Sequence, residues 1–154
     1  IIGLLLIQLV YGAFMAGHKA ATAAPTWPDI NGHIIPPNMF GQEGGLLDLI
    51  DNRITIHFIH RGLAYLLFFL VIWQAIQLFK IKGSSLFTNT RWWPALLVTV
   101  QVILGILAVL SSTTIVPNHW GQFEWLAQIH QLIAMFLLLS MIWIRYIVRH
   151  HTVN

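Results

Sequence analysis

Residues 54–79 read ITIHFIHRGLAYLLFFLVIWQAIQLF, and Arg61 is the only Asp, Glu, Lys or Arg among them. Coiled as a helix at ~1.5 Å per residue, a run of this length covers more than the ~30 Å hydrocarbon core of a bilayer. Three further apolar runs accompany it, at about residues 1–16, 94–116 and 125–148. Each approaches or exceeds the ~20 residues that a membrane-spanning helix needs. The first is the shortest and starts at Ile1, without the charged segment that opens a signal peptide, so the chain reads as a piece of a longer protein.

Composition agrees with spans rather than a soluble core. Of the 154 residues 57% are hydrophobic and 8% charged, against roughly 25% charged in an ordinary soluble domain. Eight Lys and Arg against five Asp and Glu give a net charge of +3, too sparse and too scattered for a nucleic-acid surface. There is no Cys, which removes disulfides, thiolate metal sites and cysteine nucleophiles and leaves eight His as the coordinating candidates.

The cations assign sides. Lys80, Lys82 and Arg91 lie between the second and third runs, and Arg145 and Arg149 end the fourth, so both places are expected on the cytoplasmic side. The 17–53 link carries Asp29, Glu43, Asp48 and Asp51 against two cations and is expected outside, with both chain ends cytoplasmic. Its Pro25, Pro28, Pro36 and Pro37, with Gly32, Gly41, Gly44 and Gly45, punctuate it into turns, and Leu46 to Asp51 can form amphipathic turns at the membrane surface. Trp27, Trp120 and Trp125 near one face and Trp92 and Trp93 near the other fit aromatic belts.

The runs pair into a weak repeat. QLVYG at 8–12 matches QVILG at 101–105, and HRGLA at 60–64 matches HQLIA at 130–134. Two helical hairpins related by a pseudo-two-fold axis along the membrane normal would set His60 opposite His130. The expected fold is an all-α integral membrane four-helix bundle forming a single domain over residues 1–154.

Ionisable groups inside a span are costly, about 2.5–3.5 kcal/mol for a central Arg, so the His60-Arg61 pair needs an explanation, of which a bound ligand is the simplest. His60 and His130 stand at similar depth, with Ala64 a turn from the first and Ala127 and Ala134 a turn to either side of the second. Imidazole pairs between facing helices are a standard heme clamp. A metal or proton site, or histidines hydrogen-bonded across helices, are the competing readings. His57, one turn nearer water, can meet a heme edge, a propionate or a substrate, and Arg61 either snorkels to a propionate or is structural. His119 in PNHWG at 117–121 is a loop residue near the same end; His18 and His33 carry no signal, and His150 and His151 belong to a basic tail. Gln8, Gln101, Gly12 and Gly105 read as interhelical hydrogen bonds and close contacts.

With these residues in hand, nearly the whole chain resembles the C-terminal half of a heme A synthase of the bacterial or mitochondrial type. The resemblance rests on YGAFMAG at 11–17, TWPDING at 26–32 with IPP at 35–37, HFIHRGLAY at 57–65, QVILG at 101–105 and IHQ at 129–131. It implies one half of an eight-helix protein of the cell or mitochondrial inner membrane, with His60 and His130 as the axial pair of heme b. It also implies oxidation of the C8 methyl of heme O to the formyl of heme A, in company with heme O synthase and an electron donor. In the family's first half a Glu stands three residues before the His of the second helix; here His57 holds the equivalent place, which makes this the heme b and electron-relay half. Such a half is expected to need the missing N-terminal helices, or a second copy, for activity. The alternative from a different class is a b-type cytochrome subunit that only passes electrons; a heme-free transporter or scaffold is the third.

Overall fold

The computed structural model describes residues 1–37, 39 and 45–151, the side chain of His151 excepted. Glu43 and the turn signals at Gly41 and Gly44 lie outside the described residues. Among those described, regular structure is helical: α1 (Ile2–Gly17), α2 (Asp48–Asp51), α3 (Arg53–Phe79), α4 (Ser85–Thr90), α5 (Trp93–Ser111) and α6 (Gln122–His151), with short 3-10 turns at Ala20–Ala23, Gly45–Leu47 and Ser112–Thr114. Three stretches, α3, α4 with α5 through Thr114, and α6, are long and apolar enough to cross a membrane; α1 is shorter at 16 residues. The chain is a helical, multi-pass membrane protein.

Each long helix begins where the sequence supplies a start. The side chain of Asn52 accepts from the backbone N–H of Ile54 and Thr55, opening α3. Pro94 stands in the first turn of α5, where its missing N–H is not needed. Glu124 reaches back to the N–H of Gly121 at 2.8 Å and opens α6. Relative to the apolar runs, α6 starts three residues earlier than Trp125, because this polar turn of Gln122 and Glu124 caps a helix that apolar content alone does not reveal. The short α4 is a second feature that apolar content does not reveal. Ser84 caps it, and Phe87, fully buried, plugs the space between α3 and α6 with Leu78, Ile144 and Ile147.

A core of Leu5, Leu67, Val71, Val98, Leu137 and Met141 draws one or two residues from each of α1, α3, α5 and α6. Helix α1 packs on α3 and α5 on α6, while α3 touches α5 and α1 touches α6. Helices α3 and α6 therefore face each other across the interior. Phe69, Trp73, Leu107 and Leu139 point outward and are exposed, as suits a lipid-facing surface.

The described residues of the link after α1 gather at one end of the helices, called here the loop end: the Ala20–Ala23 turn packs on α1, α3 and α5, and α2 packs on α3. Ile30 and His33 exchange backbone hydrogen bonds around Asn31 and Gly32, whose φ of 53° and 85° are the left-handed pair that an Asn-Gly turn requires. The N–H of Gly32 donates to Asp29 at 2.8 Å, and that bond, with help from Thr26, holds the Asp29 carboxyl below the usual carboxylate range. The predicted turns near residue 46 are present as the 3-10 turn Gly45–Leu47 running into α2, with Leu46 and Leu47 exposed.

Candidate functional site

Counting along the helices, His60 lies seven residues after Arg53 at the start of α3, and His130 eight after Gln122 at the start of α6. At ~1.5 Å per residue the two imidazoles stand within about one residue's rise of a common level. Both line a single cavity of about 980 Å³ that α1, α3, α5, α6 and the links at the loop end enclose.

Each histidine meets the same two residue types on a neighbouring helix. The side-chain amide nitrogen of Gln8 on α1 is 3.4 Å from Nε2 of His60, and that of Gln101 on α5 is 3.1 Å from Nε2 of His130. One turn on, a Cβ placed on Gly12 would stand 3.5 Å from Cε1 of His60, and one on Gly105 would stand 3.0 Å from Cε1 of His130. The repeat seen in the sequence is thus a repeat of contacts, with a Gln donating to each ring and a Gly leaving each ring its space. His130 has one bond more: Nδ1 donates to the backbone carbonyl of Gln101 at 3.0 Å. A ring whose Nδ1–H is held by a carbonyl presents its Nε2 lone pair, the usual arrangement of a metal-bound histidine. In His60 the Nδ1 is buried without a hydrogen-bond partner among the described residues, as are the side-chain oxygens of Gln8 and Gln101.

His57, one turn nearer the loop end and only 1% exposed, also lines the cavity. Its Nε2 accepts from Arg61 at 2.9 Å, which leaves the ring proton on Nδ1. The guanidinium of Arg61 then donates to the carbonyls of Thr26, Pro28 and Asp29 at 2.9, 3.2 and 2.6 Å. Arg61 fastens the 26–29 segment onto α3 while also forming part of the cavity wall. Trp27, expected in an aromatic belt, donates to the hydroxyl of Tyr65 at 3.0 Å and joins the wall. Neither Tyr65 nor Lys19 stood out in the sequence, yet both line the cavity. The repeated spacing of Arg61 and Tyr65 on the His57 face of α3 was the available signal for Tyr65. His119 lies exposed at the loop end of the same cavity. His18 is instead 3.9 Å from Asp51, and His33 belongs to the Asn-Gly turn.

The donor set discriminates between ligands. Two imidazoles with Nε2 acceptors share a space at the top of the roughly 300–1,000 Å³ range of small-molecule sites. Among the described residues no three His, Asp or Glu side chains gather closely enough to hold a metal ion. The two imidazoles that share the cavity, the glycines beside them and the orphaned polar atoms around them fit a metal carried in a flat ring, which asks the protein for only two ligands.

Comparison with known proteins bears directly on this site. A family model described as cytochrome oxidase assembly protein, COX15-CtaA, matches residues 1–142. A Bartonella henselae protein named heme A synthase is 33% identical over 135 residues, covering 88% of this chain and 35% of its own length. Proteins of the same name from Rhodopseudomonas palustris (strain HaA2) and Rhizobium meliloti are 36% and 35% identical, each over 75% of this chain and 32% and 31% of their own lengths. The chain thus spans about a third of the length of these curated relatives. No solved structure matches it. On a match that spans α1, α3 and α5, most of α6 and both histidines, the chain belongs to the heme A synthase family of cytochrome oxidase assembly proteins.

Proposed function

We propose that this chain is the heme b-binding half of a membrane oxidoreductase that converts the C8 methyl group of heme O to the formyl group of heme A. His60 and His130 would hold the heme from α3 and α6 of a four-helix bundle whose two hairpins, α1–α3 and α5–α6, are related by a pseudo-two-fold axis. The loop end faces outward and both termini face the cytoplasm, in a bacterial plasma membrane or a mitochondrial inner membrane. The observation that carries the reading is the duplicated Gln–His–Gly contact around one cavity. The family match supports the activity.

A heme held there would supply reversible one-electron chemistry at its iron. The chain's own residues do the positioning. Gln101 holds Nδ1–H of His130 and so aims Nε2 inward, and Gln8 and Gln101 occupy the Nε2 atoms with amide donors that a stronger ligand displaces. Arg61, which also donates to His57, holds the Thr26, Pro28 and Asp29 carbonyls over the loop end, where they limit access of water. Leu5, Leu67, Val98 and Leu137 close the other end with apolar surface.

The substrate heme O would be handled by the N-terminal helices of an eight-helix protein, or by a second copy of this half, with heme O synthase and an electron donor as partners. One feature favours the relay role for this half: among the described cavity-lining residues Glu124 is the only carboxylate, and it accepts from the N–H of Gly121. A b-type cytochrome subunit without oxidase activity is the second reading, which the same feature also suits.

Extraction of heme from cells that make heme O tests the proposal. Cells carrying this half joined to the family's first half are expected to accumulate heme A, and His60→Ala or His130→Ala is expected to halt them at heme O. Undiminished heme A in both variants would sink the assignment, and intact b-type bands without any heme A would leave the cytochrome reading.

A further inference from the structure

The cavity is graded along its length. Leu5, Leu67, Val98 and Leu137 line one end, the two Gln–His pairs the middle, and Lys19, Arg61 and Glu124 the loop end. A ligand with an apolar body and acidic groups along one edge fits this gradient in a single direction, with the acids at the loop end. Two cations stand there, and they are not equivalent. The four terminal N–H donors of Arg61 are met by three backbone carbonyls and by His57, so its donor edge is already used by the protein.

Lys19 is differently placed. It is exposed at the cavity edge, and among the described residues its ammonium makes no hydrogen bond or ion pair. Its backbone sits at φ 50° and ψ 40°, a left-handed conformation uncommon for a residue with a side chain. That conformation is held from outside: Arg53 donates to the Lys19 carbonyl at 2.7 Å and also to the hydroxyl of Thr22, which in turn donates to the same carbonyl at 2.8 Å. An unfavourable backbone geometry, fastened by two neighbours, places beside the cavity a cation that has no carboxylate partner among the described residues. Glu124, the one carboxylate among the described cavity-lining residues, is used by the Gly121 N–H.

We infer that Lys19 receives a carboxylate of the tetrapyrrole bound in this cavity, a role for which Arg61 has no terminal donor to spare. The inference rests on the heme reading above, and the ligand class is a tetrapyrrole with free propionates. Lys19 then fixes which edge of the ring faces the loop end, and it does so as a point charge at a solvent-exposed site.

The test is titration of the detergent-purified, heme-free chain with hemin and with hemin dimethyl ester, whose propionates carry no charge, followed by Soret absorbance. Lys19→Gln is expected to weaken hemin binding about threefold to fivefold at low salt, the range of an exposed ion pair. It is expected to leave ester binding unchanged, and Lys19→Arg is expected to restore hemin binding. The hemin difference between Lys and Gln is expected to shrink as salt is raised. Equal hemin affinity in Lys19→Gln and the unsubstituted chain would overturn the inference, and so would an equal loss for hemin and ester. Failure of the unsubstituted chain to bind either compound would instead refute the heme reading on which it stands.

Discussion

His130 gives its Nδ1 proton to the backbone carbonyl of Gln101 at 3.0 Å while its Nε2 lies 3.1 Å from the side-chain amide of the same residue. One residue of α5 thus sets both the ring orientation and the tautomer of a histidine on α6. On the other side of the cavity Gln8 and His60 repeat only the second contact, at 3.4 Å. The two halves of the site are similar but unequally tight, and the first prediction follows from that difference.

A methyl group at Gly105 would meet Cε1 of His130 at 3.0 Å, closer than side chains ordinarily approach, whereas one at Gly12 would meet Cε1 of His60 at an ordinary 3.5 Å. Gly105→Ala is expected to displace the His130 ring at a cost of about 1–3 kcal/mol, the usual range for overpacking, and Gly12→Ala to be nearly neutral. Heme-to-protein ratio in the purified variants reads this out. Equal occupancy in the two would show that the glycines are not there to seat the rings.

Arg61→Gln removes the donors that hold three loop carbonyls and the His57 ring. Leaving such partly buried acceptors unpaired costs about 1–3 kcal/mol. The expected result is a lower unfolding temperature together with faster proteolysis within residues 20–37. Unaltered proteolysis of that segment would mean that Arg61 does not fasten it.

Asp29 supplies a pH dependence. Its folded-state value is lowered, chiefly by the Gly32 N–H, so its contribution to the turn is fully present above the ordinary value of 3.8 and is lost as pH falls through the lowered one. The Asn-Gly turn is therefore expected to hold through mildly acidic conditions and to loosen only below the ordinary value. Carboxyl NMR titration of Asp29 should give a midpoint below 3.8, with the Gly32 amide shift following it. A midpoint at or above that value would contradict the hydrogen bond.

The helices were legible because apolar length is a local property. Residues 54–79 announce α3 from composition alone, and two histidines at matched depth in apolar runs announce a shared site. The Gln-x-x-x-Gly repeat was visible too, as close helix contacts, but which atoms it serves depends on how α1 lies on α3 and α5 on α6. Contacts that bridge distant segments left no periodic trace. The Arg61 side chain finds carbonyls 32 to 35 residues away, and Trp27 finds Tyr65 38 residues away. A belt tryptophan and a latch tryptophan have the same sequence signature, since both are aromatic residues beside a span. Lys19 was hidden for a related reason: as one cation in an acidic link it reads as solvated, and only its fastened left-handed backbone beside the cavity marks it out.

His57 separates ligand from neighbour. It is buried beside His60 but spends its Nε2 on Arg61, so His57→Ala is expected to lower thermal stability while retaining most of the heme. Loss of heme equal to that of His60→Ala would make it a ligand in its own right.

The central claim is that His60 and His130 together hold one heme, and a reduced-minus-oxidised visible spectrum of the detergent-purified chain measures it most directly, with His60→Ala and His130→Ala beside it. Sharp b-type bands in the unsubstituted chain, abolished or converted to a five-coordinate spectrum in each variant, are the predicted result. Unchanged bands in either variant, or no bands in correctly folded protein supplied with heme, would contradict it.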